Sequence, residues 1–95
     1  MIQKIYKFSA KWCAPCNRFA PIFDSVMKKY DGKFEVCKVD VDNCTDEESD
    51  IMRENKILSI PTTLIIDENN NVAQKLLGAY SEKDLTDIIE KEMNT

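Results

Sequence analysis

The sequence predicts an α/β domain whose elements follow the order β-α-β-α-β-β-α. Runs rich in isoleucine, valine and aromatic residues alternate with segments in which apolar residues recur at helical spacing. The runs at 62–67 and 72–77 flank the turn Glu68-Asn69-Asn70-Asn71, which predicts an antiparallel hairpin because asparagine tolerates the left-handed conformation. A helix joins the first two strand-like runs, so these should form a right-handed parallel crossover. Together these observations favour a sheet with helices on both faces.

The first half of the chain is predicted to hold two strands and one long helix. Residues 2–8 form the first strand, and apolar residues on both of its alternation sets suit a central strand. The helix covers residues 14–30, is kinked at Pro21 and ends at Asp31-Gly32. Its buried stripe comprises Phe19, Ile22, Phe23, Val26 and Tyr30. The second strand follows over residues 34–41.

Capping signals mark the starts of the two remaining helices. Thr45, with Glu48 three residues later, is a capping box and begins a short acidic helix that runs to about residue 55. Gly78 ends the fourth strand, and Ser81 caps the last helix. The inner stripe of that helix comprises Leu85, Ile88, Ile89 and Met93.

Composition and charge indicate a single small domain, residues 1–95. The chain has 95 residues, 43% of them hydrophobic, and a formal net charge of −4 with a pI near 4.8. It has no lysine or arginine run typical of nucleic-acid binding, and no apolar run long enough to span a bilayer. The first residues alternate polar and apolar side chains without a signal-peptide cleavage site. We therefore expect a cytoplasmic monomer that binds neither nucleic acid nor membranes.

The stretch Trp12-Cys13-Ala14-Pro15-Cys16 holds the residues around which the predicted chemistry is organised. Cys13 stands where the first helix begins, so unpaired N–H groups and the positive end of the helix dipole should lower its pKa and make it nucleophilic. Cys16 lies one turn further in, close enough to form a small disulfide ring. Pro15 suits the first helical turn, and Trp12 offers a flat apolar shoulder for gripping another protein. The pattern favours a reversible dithiol switch, with half of a zinc site or a structural disulfide as alternatives.

Two further cysteines bear on the zinc alternative. Cys37 lies in the middle of the second strand, where a small buried apolar side chain is expected. Cys44 lies in the loop after that strand, on the same sheet edge as Cys13, and is interpreted as an inert free thiol, with a regulatory thiol as the alternative. A zinc site would need both to converge on Cys13 and Cys16. Since the chain also lacks histidine, we predict neither a metal nor a cofactor.

Four segments, in the right order, resemble the thioredoxin family. Residues 12–16 match its W-C-G-P-C motif with alanine in place of glycine, and Pro21 matches the proline within its first active-site helix. Ile60-Pro61-Thr62 matches its Ile-Pro-Thr, and Gly78-Ala79 resembles its Gly-Ala after the last strand. Thioredoxins usually begin with an extra strand and helix. The resemblance, which covers nearly the whole chain, therefore implies a minimal thioredoxin-like fold with a four-stranded mixed sheet.

The resemblance also implies an electron carrier that reduces protein disulfides. Cys13 would attack a substrate disulfide, and Cys16 would then attack Cys13 and release the reduced substrate. Pro61 would be cis and pack against the disulfide, while the backbone of Ile60 would pair with the substrate. The residues expected to support the site are Trp12, Ala14, Pro15, Ile60, Pro61 and Gly78. The implied partners are disulfide-containing proteins and a donor of the thioredoxin-reductase type.

Several lysines depart from the family pattern near the predicted site. Lys7 stands where most thioredoxins carry a buried aspartate that helps to deprotonate the resolving cysteine. Two interpretations are open: a desolvated Lys7 with a lowered pKa that takes part in proton transfer or thiolate stabilisation, or a Lys7 that reaches solvent and takes no part. Lys38 aligns with a lysine near that aspartate, and Lys11 flanks the motif. Either could tune the pKa of the thiols or simply be solvated.

Two other functions remain as alternatives. A thioredoxin-fold binding module or subunit would use its surface without needing the dithiol. A glutaredoxin-like protein would be coupled to glutathione, which the short amino-terminal end suggests.

Overall fold

The computed structural model describes all 95 residues and confirms the predicted order of elements. The strands are β1 (Ile2–Ser9), β2 (Glu35–Asp40), β3 (Thr62–Asp67) and β4 (Val72–Leu77). The helices are α1 (Ala14–Lys28), α2 (Asp46–Glu54) and α3 (Glu82–Met93). None of these helices has the length and apolar composition needed to cross a bilayer.

The four strands form one mixed sheet in the order β2-β1-β3-β4, which confirms the predicted fold class. β1 runs parallel to β2 and antiparallel to β3, and β3 and β4 form the predicted hairpin. The register pairs Lys7 of β1 with Lys38 of β2 and with Thr63 of β3. Because paired residues point to the same face of a sheet, these three side chains lie in one row.

The helices cover both faces of the sheet, as predicted. One face, beneath α1 and α3, carries the larger apolar cluster. Its buried members are Ile2, Ile5, Phe19, Phe23, Val26, Met27, Ile65, Leu76, Leu85 and Ile89. The opposite face packs against α2 through a smaller cluster of Phe8, Val39, Leu64 and Ile66. Lys7 shares the α1 face with Ile5, because residues two apart on a strand point the same way.

Helix α1 continues through Pro21 but ends at Lys28, two residues before the predicted end. The N–H groups of the two residues after Lys28 donate to carbonyls three residues earlier, each at 3.0 Å. These shorter bonds tighten the last turn and end the helix. Gly32, at a φ of +80°, then turns the chain towards β2.

The predicted caps of α2 and α3 are present. The N–H of Glu48 donates to Thr45 Oγ1 at 3.1 Å, and the N–H of Thr45 donates to Glu48 Oε1 at 2.9 Å, which completes the capping box. Ser81 Oγ accepts a hydrogen bond of 3.1 Å from the N–H of Asp84. β2 is one residue shorter at each end than predicted, because only residues 35–40 pair with β1.

Candidate redox site

Cys13 and Cys16 are joined as a disulfide at the N-terminus of α1, with their Cα atoms 5.2 Å apart. Cys13 is the N-cap residue: its φ of −88° and ψ of 107° are extended, and its Sγ accepts a hydrogen bond of 3.2 Å from the N–H of Cys16. Both residues are almost fully buried, at 5% and 3% exposure. The helix start therefore presents a backbone donor to the sulfur of Cys13, and the same donor would stabilise a thiolate there.

The loop before β3 lies next to the disulfide. The Ile60–Pro61 peptide is cis, as the resemblance implied, and the carbonyl oxygen of Ile60 lies 3.9 Å from Cys13 Sγ. The N–H of Gly78 donates to the carbonyl of Pro61 at 2.8 Å. Gly78 has a φ of +87°, which favours glycine there. Three segments distant in sequence thus meet at one edge of the sheet.

Trp12 lies beside the disulfide with 71% of its surface exposed. Its indole Nε1 donates a hydrogen bond of 2.6 Å to Asp42 Oδ2 in the loop after β2. The sequence had placed that loop on the active-site edge, but it gave no signal for a role of Asp42. The bond holds an exposed aromatic ring in a defined position next to the sulfurs.

An apolar groove, which the sequence did not predict, adjoins Trp12. It has a volume of about 210 Å³. The apolar side chains that line it are Trp12, Val41, Met52, Ile57, Leu58 and Ile60. Leu58 is 91% exposed, so both it and Trp12 present large apolar side chains to solvent along this groove. Ala14 and Pro15, also predicted site residues, are exposed at the start of α1.

Lys7 is only 5% exposed, but its Nζ is not among the fully buried side-chain atoms, so neither interpretation of the sequence is decided. Its Nζ lies 5.0 Å from the centroid of the Phe23 ring on α1. Burial lowers the pKa of Lys7 below its ordinary value; the carboxylate of Asp24 opposes this shift, and the ammonium group of Lys38 adds to it. The lowered pKa has the direction that the first interpretation requires, and a part for Lys7 in proton transfer or thiolate stabilisation stays a prediction.

Lys38 and Lys11, the other two lysines predicted near the site, are both exposed. Lys38 Nζ forms an ion pair of 2.6 Å with Asp24 Oδ1. The backbone carbonyl of Lys11 accepts a hydrogen bond of 3.0 Å from Asn17 Nδ2, which joins the residues on either side of the disulfide. Tuning of the thiols by either lysine remains a prediction.

The two other cysteines are free and stand apart from the disulfide. Cys37 is half-buried rather than buried, because β2 is an edge strand, and its thiol lies 3.2 Å from Glu35 Oε2. Burial, helped by the hydrogen bond and the charge of Glu35, raises the pKa of Cys37 to about 11. Cys44 is also half-buried, with its Sγ 3.9 Å from the carbonyl of Val41. No group of three or more potential metal-ligating side chains converges anywhere in the chain.

Comparisons with known proteins agree with this geometry. The thioredoxin family model matches residues 2–91. The chain is 39% identical over 87 residues to an M-type chloroplastic thioredoxin of Spinacia oleracea, covering 92% of this chain and 45% of that protein. It is 31% identical over 90 residues to a thioredoxin of Staphylococcus epidermidis, covering 95% and 82%. The chain spans about half the length of the chloroplastic relatives from Spinacia oleracea and Oryza sativa.

Solved structures show the same likeness in three dimensions. A structure described as thioredoxin-2, a component of malaria parasite protein secretion machinery, superposes with a TM-score of 0.79 at 28% identity. The match covers 93% of this chain and 81% of that one. A second malarial protein superposes with a TM-score of 0.78 at 26% identity and covers 95% and 96%.

Proposed function

Because the chain belongs to the thioredoxin family, we propose that it reduces disulfide bonds in other proteins through Cys13 and Cys16. The observation that carries the proposal is the Cys13–Cys16 pair at the N-terminus of α1. The disulfide seen here is the oxidised end of the cycle. A dithiol donor must reduce it before the protein can act on a substrate.

The exchange proceeds in two displacements that balance in atoms and electrons. The Cys13 thiolate attacks one sulfur of a substrate disulfide, forms a mixed disulfide and displaces the other substrate sulfur as a thiolate. The Cys16 thiolate then attacks Cys13 Sγ, restores the Cys13–Cys16 bond and releases the second substrate thiolate. Two electrons pass from the protein dithiol to the substrate, and protons from solvent neutralise the released thiolates.

The helix start supports Cys13 as the attacking group. The Cys16 N–H is already directed at Cys13 Sγ at 3.2 Å, and the positive end of the α1 dipole adds to the stabilisation of negative charge. Cys16 lies one turn inside the helix and is 3% exposed. It can therefore reach Cys13 readily once the mixed disulfide has formed.

The groove beside Trp12 supports an extended, partly apolar substrate segment as the partner. Leu58 and Trp12 offer exposed apolar area, and the carbonyl of Ile60 lies at the rim next to Cys13. A peptide strand that carries a disulfide could place its sulfur on Cys13 and its neighbouring apolar side chain in the groove. The electron donor in this proposal is a reductase of the thioredoxin-reductase type, the protein acts as a monomer, and the compartment is a reducing one such as the cytosol.

The direct test is the reduction of oxidised insulin, as a model disulfide protein, with the thiol donor dithiothreitol. The wild type should accelerate the reaction. Cys13→Ser should abolish the acceleration. Reduced Cys16→Ser, freed of dithiothreitol and then mixed with insulin, should trap a mixed disulfide that is visible as a mass increase. A Cys37→Ser/Cys44→Ser variant is the matched control and should keep full activity. If Cys13→Ser were as active as the wild type, the proposal would fail, and the alternative function as a thioredoxin-fold binding module would be favoured.

The reduction potential of the Cys13–Cys16 pair separates the remaining alternatives. We expect a value near that of thioredoxins as a class, about −270 mV, in a background with Cys37 and Cys44 changed to serine. A value in the glutaredoxin range, about −200 to −230 mV, would instead favour coupling to glutathione. Mass spectrometry after equilibration with defined dithiothreitol ratios measures the dithiol fraction directly.

A further inference from the structure

A cavity of about 240 Å³ lies on the α1 side of β1 and β2, next to the redox loop. We call it the lysine cavity, because Lys7, Lys11 and Lys38 all line it. Asn17 and Asp40 also line the cavity and contribute further polar groups. A space of this size suits a small ligand.

Lys7 is the least exposed charged residue of this cavity. It is 5% exposed, and its ammonium group makes no hydrogen bond or ion pair with any protein group. The register places it between Lys38 and Thr63, and the Thr63 hydroxyl is itself buried without a partner. The Lys7 Nζ is not among the fully buried atoms, so it keeps some contact with solvent, but the low exposure of the residue leaves it poorly hydrated. An anion that enters the cavity would therefore stabilise the charged form of the Lys7 side chain.

The other lining charges leave an excess of positive charge. Asp24 pairs with Lys38 at 2.6 Å but does not itself line the cavity. Asp40, the carboxylate that does, accepts a hydrogen bond of 3.0 Å from the backbone N–H of Asp42 through Oδ1. Lys11 forms no ion pair. Burial lowers the pKa of Lys7 in the absence of a ligand, and a bound anion would reverse that shift.

We propose that the lysine cavity binds a small free oxyanion of the phosphate or carboxylate class, with the Lys7 ammonium as its central contact. Lys11 and Lys38 surround it with positive charge, and the Asn17 side-chain amide lies in the same wall. The apolar groove lies on the α2 side and the cavity on the α1 side, so a protein substrate and the anion occupy different places. The site does not depend on the thiol chemistry proposed above.

The test uses inorganic phosphate as the probe and thermal unfolding as the measurement. An anion that binds only the folded protein raises Tm in a saturable way, by about 6 °C or more once phosphate is about tenfold above its Kd. The comparison is chloride at the same ionic strength. A titration with acetate in place of phosphate distinguishes a phosphate site from a general carboxylate site. Amide shifts at Ser9 and Asn17 in a heteronuclear NMR titration locate the binding.

Lys7→Met should raise the apparent Kd for phosphate by at least about tenfold. The substitution removes the central charge of the cavity but keeps most of the side-chain volume. Lys33→Met, which removes an exposed charge outside the cavity, is the matched control and should bind phosphate as the wild type does. If Lys7→Met does not fold, Lys11→Met on the exposed rim should still weaken binding several-fold. Equal effects of phosphate and chloride, or full binding by both cavity variants, would overturn the proposal. Binding should survive in a Cys13→Ser/Cys16→Ser protein, which separates its fate from that of the redox function.

Discussion

The indole of Trp12 and the carboxylate of Asp42 join the two loops at the redox edge by a hydrogen bond of 2.6 Å. Asp42→Ala removes the acceptor and leaves the exposed ring free to move. We expect the KM for a protein disulfide to rise by about threefold, which corresponds to the net free energy of one exposed hydrogen bond. The reduction potential of the Cys13–Cys16 pair should not change. Trp12 is the only tryptophan, so its fluorescence reports the loss of the bond directly.

Asp42→Asn is the control for this prediction, since its amide keeps an acceptor oxygen in the same place. It should retain most of the wild-type KM. If Asp42→Ala instead shifted the reduction potential of the Cys13–Cys16 pair, Asp42 would act on the sulfurs rather than on Trp12.

Leu58 should contribute to substrate binding and very little to folding. Leu58→Ser removes the most exposed apolar side chain of the groove, so we expect the KM for insulin to rise by about fivefold. Stability to urea should change by less than about 0.5 kcal/mol, as is usual for surface positions. Val72→Ser, an exposed apolar residue outside the groove, serves as the matched control. Equal losses in both variants would remove the groove from the proposed binding surface.

Tyr30 should make stability depend on pH in the alkaline range. Its hydroxyl donates a hydrogen bond of 2.6 Å to Glu90 Oε2, and burial, together with this carboxylate, raises the pKa of Tyr30 to about 12 from 10.0. The folded state thus holds this proton more tightly than the unfolded state does. The stabilisation is fully present below pH 10 and is lost as pH rises through 12.

Tyr30→Phe should therefore cost about 1 kcal/mol at neutral pH and flatten the fall of stability between pH 10 and 12. Urea unfolding across that range is the measurement. It is made in a Cys37→Ser background, because the raised pKa of Cys37 adds a loss of stability between its ordinary pKa of 9.0 and about 11. An unchanged alkaline slope would contradict the assignment to Tyr30.

Thr45 should be a measurable source of stability for α2, a helix without any fully buried residue. Thr45→Ala removes the side chain that accepts from the Glu48 N–H, and we expect a loss of about 1 kcal/mol. Thr45→Ser keeps the oxygen and should lose much less. Equal losses from the two substitutions would point to the methyl group of Thr45 rather than its hydroxyl.

The features that the sequence predicted correctly depend on local signals. The C-x-x-C stretch, the asparagine turn before Val72 and the capping box at Thr45 each involve residues a few positions apart. Their chemistry dictates the backbone around them, so the order of strands and helices followed directly. The cis Ile60–Pro61 bond was also anticipated, but only through resemblance to a family, and the carbonyl of Ile60 lies 3.9 Å from Cys13 Sγ although the two are far apart in the chain.

The features that the sequence missed depend on contacts between distant segments. The bond from Trp12 to Asp42 spans 30 positions and needs two loops to end on the same edge at the right height. The surroundings of Lys7 could not be predicted from the strand alone, because its low exposure comes from the Phe23 ring of α1, whose centroid lies 5.0 Å from the Lys7 Nζ. Cys37 was misplaced because its burial depends on β2 lying at the edge of the sheet.

The central position of β1 decides which part of this molecule opens last. β1 is bonded along both sides, to β2 and to β3, and the redox loop follows directly from its end. Its amide hydrogens should therefore exchange with deuterium only when the whole sheet opens, while those of α2 exchange through smaller, local openings. The disulfide is thus joined to the slowest-exchanging segment of the chain, and the groove wall supplied by α2 belongs to a faster one. We therefore expect the redox loop and the proposed binding groove to differ in how often their backbones open locally.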